Sequence, residues 1–315
     1  MNSASSKRHP GFPAGDGPAG NVATAYNRAG LSYLAYADGD PESLFSFDGL
    51  HAYADRRVWS VLDAKLMDLR AKGASSVRIL DAGCGPGTWL RRLVSRAHAL
   101  GFTRITARGF DVAEEQIEAA KRMAQPLAKL DGVELTFEVG DLTAPLPEAD
   151  ASIDLSLCLY SVLSHLPVAK LPAVAAEIAR VTGGDFVTTA RAVGSMPTIF
   201  VDSIEKARQF QLDHGRDQCM IELDDGRRFT VGFHLFGAAE LRSCFSDWFV
   251  IEDLRGLDLF HSRFAPDSRW NPASTPIDDA SRADLARLEE TYSQNPWFME
   301  HATHLLLVGR RRRSA

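Results

Sequence analysis

The sequence predicts an α/β protein whose centre is a doubly wound, mostly parallel sheet. Three observations carry this expectation. Runs of strand length, apolar or alternating, recur between helical patterns at Val77–Leu80, Thr103–Asp111, Val133–Leu142, Ala151–Tyr160 and Phe186–Arg191. Strands alternating with helices at this rhythm build parallel sheets. Three glycines at alternate positions, Gly83, Gly85 and Gly87, separate the first strand from a helix with apolar residues at 90, 93 and 94. Such a turn lets a ligand lie against backbone and the N–H groups of a helix N-terminus. After Arg191 the alternation gives way to a hairpin signal, Asp224-Asp225-Gly226, which reads as an antiparallel insertion after strand five.

The totals bound the rest. A chain of 315 residues, 45% of them hydrophobic, suits one large α/β domain with additions. The net charge of −6 argues against broad contact with nucleic-acid phosphates. The closing run Arg310–Arg313 is short, without aromatic neighbours, and reads as a solvated tail. Cys84, Cys158, Cys219 and Cys244 form no C-x-x-C pair, so neither a zinc site nor a disulfide framework is implied, and no metal is expected. No apolar run nears the ~20 residues of a membrane span, and the first twenty residues lack a signal-peptide core. A cytoplasmic setting without membrane or nucleic-acid partners is therefore expected, with a homodimer left open.

In chain order, residues 1–20 hold Pro and Gly with few large apolar groups and are expected to be disordered. Residues 21–76 read as an N-terminal lid and a flanking helix. The lid carries Tyr26, Tyr33, Tyr36, Phe45 and Phe47; the helix, from His51 to Arg70, has Val58, Val61, Leu62, Leu66 and Leu69 at helical spacing. The main domain runs from 77 to 315. Within it, a helix from Ala169 to Val181 is expected to stop at Gly183-Gly184. Residues 192–236 form the insertion, read as a helix-like stretch at Ile204–Leu212 followed by a hairpin of Ile221–Leu223 and Arg228–Phe233. Trp248–Leu254 and His304–Gly309 complete seven strands, with a helix at Ser281–Tyr292 between them.

The glycine turn narrows the ligand. A dinucleotide fingerprint places its third glycine where Thr88 stands, and a P-loop needs a Gly-Lys pair, yet no lysine lies between Val77 and Leu100. Ile79-Leu80-Asp81-Ala82-Gly83-Cys84-Gly85-Pro86-Gly87 instead resembles the first motif of class I S-adenosylmethionine (SAM)-dependent methyltransferases, which have a Rossmann-like sheet with an antiparallel last strand. Phe110-Asp111-Val112-Ala113, with Gln116 following, resembles the second motif, although Ala113 stands where many members carry Ser. Asp111 lies 24 residues past Gly87, and a vicinal diol such as ribose is best held by one bidentate acceptor. Its competing role is a cap on the helix 114–124. Gly140-Asp141-Leu142 looks like the adenine-binding corner, and Leu159 to Leu166 occupies the stretch that faces the methyl group in that fold. The motifs cover roughly residues 77–190; beyond them the resemblance rests on layout.

The resemblance implies SAM as cofactor, S-adenosylhomocysteine as product, and Asp81, Gly83, Cys84, Gly85, Gly87, Asp111, Val112, Gln116, Asp141, Leu142 and Leu159 as cofactor-binding residues, with Tyr26 from the lid. Transfer to a hydroxyl or a protonated amine calls for a base. His165, just past strand four, is the first candidate and Tyr160 the second; each has a purely structural alternative. Tyr36, Arg191 and His234 are candidate substrate residues, Arg191 because its planar fork suits a carboxylate or phosphate. The reading is a SAM-dependent methyltransferase acting on O or N of a small-molecule metabolite or natural product. A non-catalytic SAM-binding regulator or scaffold, an RNA or protein methyltransferase, and a nicotinamide oxidoreductase stand as rivals.

Overall fold

The structure, a computed structural model, describes residues 22–27, 43–47, 52–195, 207–223, 226, 228–261 and 278–312. Tyr33, Tyr36 and the tail 1–20 lie outside them. A seven-stranded sheet has the order β3-β2-β1-β4-β5-β10-β9. Its strands are β1 (Ser76–Ala82), β2 (Arg104–Asp111), β3 (Val133–Val139), β4 (Ile153–Cys158), β5 (Thr182–Arg191), β9 (Phe249–Leu257) and β10 (His304–Arg311). β1 pairs parallel with both β2 and β4, whereas β10 runs antiparallel to β5 and β9. The strand order reverses between β1 and β4, and in such sheets the crevice at the carboxyl ends of those strands is the ligand position.

Helices α2 (Ala52–Ala71), α3 (Thr88–Ala99) and α4 (Glu114–Ala124) cover one face; α5 (Leu171–Val181) and α6 (Ala238–Ser246) cover the other. Alternation along the strands supplies both cores. Ile79, Leu155, Val187 and Leu306 pack with Val58, Leu62 and Leu66 of α2, while Leu80, Phe186, Leu305 and Leu307 pack with Ile178 and Phe245. Two short helices, α7 (Asp279–Tyr292) and α8 (Pro296–Met299), precede β10.

Two elements differ from the sequence reading. The stretch read as helix at Ile204–Leu212 contains a strand instead. β6 (Ala207–Asp213), β7 (Gln218–Leu223) and β8 (Arg228–Gly232) form a second, antiparallel sheet in which β7 is central. Pairing of Phe210 through Asp213 with Gln218 through Ile221 overrides the weak helical spacing. The hairpin signal was sound, with Glu222 opposite Arg228 and Gly226 at φ 82° in the turn. Gly183 and Gly184 are not a helix stop: α5 ends at Val181, and Thr182 already begins β5. A Cβ on Gly184 would overlap the carbonyl oxygen of Asp154, and one on Gly183 that of Ala151. The glycines are there so that β5 can approach β4 closely.

Residues 22–27 are helical and are called α1. Isolated helices are marginal in water, so its stability comes from packing. Val22 and Ala25 bury against Cys219, Ile221, Val231, Phe233 and Leu235. The N-terminal helix and the inserted sheet thus share one small core.

Candidate active site

A cavity of about 230 Å³ opens at the carboxyl ends of β1, β2 and β4, under α1 and the end of β8. Its floor is the glycine turn. The backbone N–H groups of Gly83 and Cys84 both donate to the carbonyl of Phe110 (2.8 and 2.9 Å), tying the turn to β2. Gly83 has φ 76°, and a Cβ there would run into the Val162 side chain, so both conformation and contact demand glycine. Gly85, at φ 51°, gives its N–H to Asp111 Oδ2 at 2.9 Å.

Asp111 accepts a second amide, from Ala113 at 2.9 Å on Oδ1. Its carboxylate therefore steadies the start of α4 and the glycine turn together, with acceptor capacity left over. Burial raises its pKa; the amides of Ala113, Gly85 and Val112 pull it back. Asp81 is in the opposite condition. It is buried, its Oδ2 has no hydrogen-bond partner, and burial next to Asp111 pushes its pKa up to about 7. An unpartnered acid in a cavity wall fits a cationic ligand group.

Asp141 and Leu142 line the cavity beyond β3, with Asp141 Oδ1 holding the N–H of Thr143 at 2.8 Å. Val112, Gln116, Cys84 and Leu159 also lie on its wall. Burial pushes the Cys84 thiol well above its usual range, so it is a small neutral surface and no nucleophile.

At the far side, Tyr160 and Ser161 follow β4 with φ of 52° and 73°. Two consecutive non-glycine residues in the left-handed region are strained by roughly 1–3 kcal/mol each. The Tyr160 N–H donates to Thr189 Oγ1 at 2.6 Å. Its hydroxyl donates to Asp55 of α2, and burial with that carboxylate nearby raises its pKa well above normal. Tyr160 is thus a neutral hydroxyl at neutral pH.

His165 lies in a short turn after it. Its Nδ1 is 2.9 Å from the carbonyl of Gly232 and its Nε2 is 2.9 Å from the Tyr26 hydroxyl. A carbonyl only accepts, so Nδ1 carries the proton and Nε2 accepts from Tyr26. Burial holds the pKa down at about 4, with the Gly232 carbonyl opposing and Arg191 adding to the depression. Arg191 is buried at the same wall, its guanidinium 6.0 Å from the Phe233 ring centroid, and burial brings its pKa to about 10.

Of the residues singled out from sequence, Tyr26, Asp81, Gly83, Cys84, Gly85, Asp111, Val112, Gln116, Asp141, Leu142, Leu159, Tyr160, His165 and Arg191 line this one cavity. Gly87 does not. It is the residue before α3, and its Cα faces Phe137 and Ala120. His234 is also elsewhere, clamped between Asp217 Oδ1 and Glu240 Oε1 at 2.8 Å each. Tyr36 lies outside the described residues. Sequence reasoning missed Asp55, Trp89, Arg92 and His304 on the wall. The sequence reading took only the apolar spacing at 90, 93 and 94 from this helix, and the nearly complete burial of α3, Arg91 and Arg92 included, is a tertiary feature.

Residues 79–184 match the family model described as a methyltransferase domain. The chain carries a class I SAM-dependent methyltransferase domain. It is an enzyme, and its cofactor is SAM, converted to S-adenosylhomocysteine. Solved structures share the methyltransferase fold across nearly the whole length. Magnesium protoporphyrin IX methyltransferase from Synechocystis, solved with bound SAM, is 15% identical with a TM-score of 0.51, covering 96% of this chain and 100% of that one. Geranyl diphosphate C-methyltransferase from Streptomyces coelicolor is 15% identical with a TM-score of 0.50, again covering 96% and 100%. No curated protein sequence matches the chain. Among the described residues no group of His, Cys, Asp and Glu is arranged to hold a metal ion, and no helix is long and apolar enough to cross a membrane.

Proposed function

We propose that the methyltransferase transfers the methyl group to an oxygen or nitrogen of a small-molecule acceptor, with His165 as the base. The observation that carries this reading is the setting of His165: past the end of β4, on the cavity wall, held at both ring nitrogens, beside Arg191 and Phe233. SAM supplies an activated methyl on a sulfonium, so the chain's task is to hold the nucleophile and the methyl in line and to take up a proton where the acceptor has one.

In this reading the remaining acceptor capacity of Asp111 takes the ribose hydroxyls. Asp141 and the backbone of Leu142 take the adenine. Asp81 meets the cofactor's ammonium beside Gly83 and Gly85, while Val112, Gln116, Cys84 and Leu159 form the walls. Tyr26 closes the cavity from α1, and because its hydroxyl already donates to His165 Nε2, the proton moves in relay: Tyr26 passes its own proton to Nε2 and takes the acceptor's in its place. Arg191 orients an acceptor carboxylate or phosphate through its planar fork. Tyr160 positions and does not accept a proton. Coverage of the cavity by α1 and the inserted sheet favours an acceptor small enough to be enclosed, and the net charge of −6 disfavours a polyanion.

The test is transfer of label from methyl-labelled SAM across a panel of hydroxyl- and amine-bearing metabolites, run beside RNA and protein acceptors. Turnover of a small acceptor with loss of roughly 100-fold or more in kcat for His165→Ala supports the reading. Labelling confined to RNA or protein, or an unchanged kcat, overturns it.

A further inference from the structure

We propose that Arg92 is the carboxylate clamp for the amino-acid end of the cofactor. It lies one turn into α3 and is buried on the cavity wall. Its Nε donates to the carbonyl of Leu44 at 2.6 Å. Its guanidinium carbon lies 4.6 Å from the Trp89 ring centroid and 4.7 Å from that of Phe47. One hydrogen bond and two aromatic rings thus fix the plane of the group, while both terminal nitrogens remain unengaged by any described residue. The acid whose field reaches it is Asp55, and that carboxylate accepts the Tyr160 hydroxyl without forming an ion pair with Arg92.

A guanidinium held rigid, buried and with its fork open is a pre-organised bidentate site for an oxyanion. Burying it without an anion is costly, as Asp81 is costly on the other side of the glycine turn. The two charges are opposite and share one cavity. Together they complement a group that carries an ammonium and a carboxylate on neighbouring atoms, an α-amino acid. The cofactor ends in that group, and the turn 83–87 that joins Asp81 to α3 is where this end lies in the family. The proposal rests on the SAM reading and assigns a residue outside the glycine motif.

Calorimetric titration with S-adenosylhomocysteine and with 5′-methylthioadenosine tests it, because the second ligand keeps the adenosine and the thioether but lacks the amino-acid end. Arg92→Gln should weaken S-adenosylhomocysteine roughly 10–100-fold, the loss of a charge-assisted pair, and leave 5′-methylthioadenosine unchanged. Arg92→Lys keeps the charge without the fork and should fall between. Unchanged binding of S-adenosylhomocysteine in Arg92→Gln, or equal weakening of both ligands, overturns the clamp. Should Arg92→Gln fail to fold, Arg92→Lys carries the same comparison, and an unshifted ratio of the two affinities overturns the proposal. Wild-type protein that binds neither ligand contradicts the cofactor reading itself.

Discussion

The hydroxyl of Tyr26 donates to Nε2 of His165 at 2.9 Å across 139 residues of sequence. The bond ties the N-terminal helix to the turn after β4. Two more bonds anchor the same helix to α4: Gln116 Nε2 donates to the Tyr26 carbonyl at 3.1 Å, and the N–H of Glu115 donates to Asn27 Oδ1 at 3.1 Å. Loss of α1 would therefore disturb the α4 wall and the His165 wall of the cavity together.

His165 should shape stability in acid. Its folded pKa of about 4 lies below the value of about 6.5 for an unfolded histidine, so the unfolded chain binds the extra proton first. Its contribution is full above about pH 6.5 and declines as pH falls toward 4. Thermal melts of wild type and His165→Gln should diverge least at about pH 4 and most at neutral pH. Equal divergence throughout would mean that the imidazole is not held neutral by burial.

Asp81 has the opposite consequence. Folding raises its pKa from 3.8 to about 7, so the folded apoprotein binds a proton that the unfolded chain has released. Its contribution is therefore unfavourable as pH rises from about 4 to 7, on the order of 4 kcal/mol once both states are ionised. Asp81→Asn should raise the apoprotein melting temperature above pH 7. In wild type, S-adenosylhomocysteine should bind more tightly as pH rises toward 7, with protons released into the buffer, and Asp81→Asn should abolish that slope. Calorimetry in buffers of different ionisation enthalpy measures it directly.

His234, although outside the cavity, joins the inserted sheet to α6. Burial lowers its pKa, but the bonds to Asp217 and Glu240 outweigh that and leave it raised. A raised histidine stabilises fully below its unfolded value of about 6.5 and loses the contribution as pH climbs through the folded value. Both carboxylates are at least 40% exposed, which limits the effect to about 1 kcal/mol. His234→Gln should thus cost most near pH 5.5–6 and progressively less toward pH 9, read by urea unfolding.

Much of this site was legible because its residues sit where strands end. A glycine turn after β1 and acids after β2 and β3 are local patterns, and the parallel topology brings them to one edge without further information. Arg92 was illegible for the same reason in reverse. Its role depends on Leu44, Phe47 and Trp89 meeting around it, a tertiary arrangement that an Arg-Arg pair on a helix does not announce. His234 carried the residue type of a site but not the place, since its partners come from a β-turn and a neighbouring helix. The β6 strand escaped because pairing with β7 decides it, and that information lies in the segment Gln218–Leu223 downstream.

Gly184 offers the sharpest test of the sheet itself. Its missing side chain lets β5 pass the carbonyl of Asp154 where the β4–β5 register shifts between Ile153 and Leu155. Asp154 Oδ2 also accepts the N–H of Arg78 on β1 at 2.8 Å, so any displacement there reaches the strand that carries Asp81 and the glycine turn. Backbone cannot yield as a flexible side chain would, and an alanine must push two strands apart. Gly184→Ala should therefore destabilise the fold by about 2 kcal/mol or more and weaken S-adenosylhomocysteine binding, although it lies at the opposite end of β4 from the cavity. Gly226→Ala is the control. Unlike Gly184 it has a positive φ, but nothing lies within 4 Å of its Cβ, so its cost should stay near the roughly 1 kcal/mol of left-handed backbone alone and leave binding untouched. Equal losses of stability and binding in the two variants would show that close approach at β4–β5 is not what Gly184 provides.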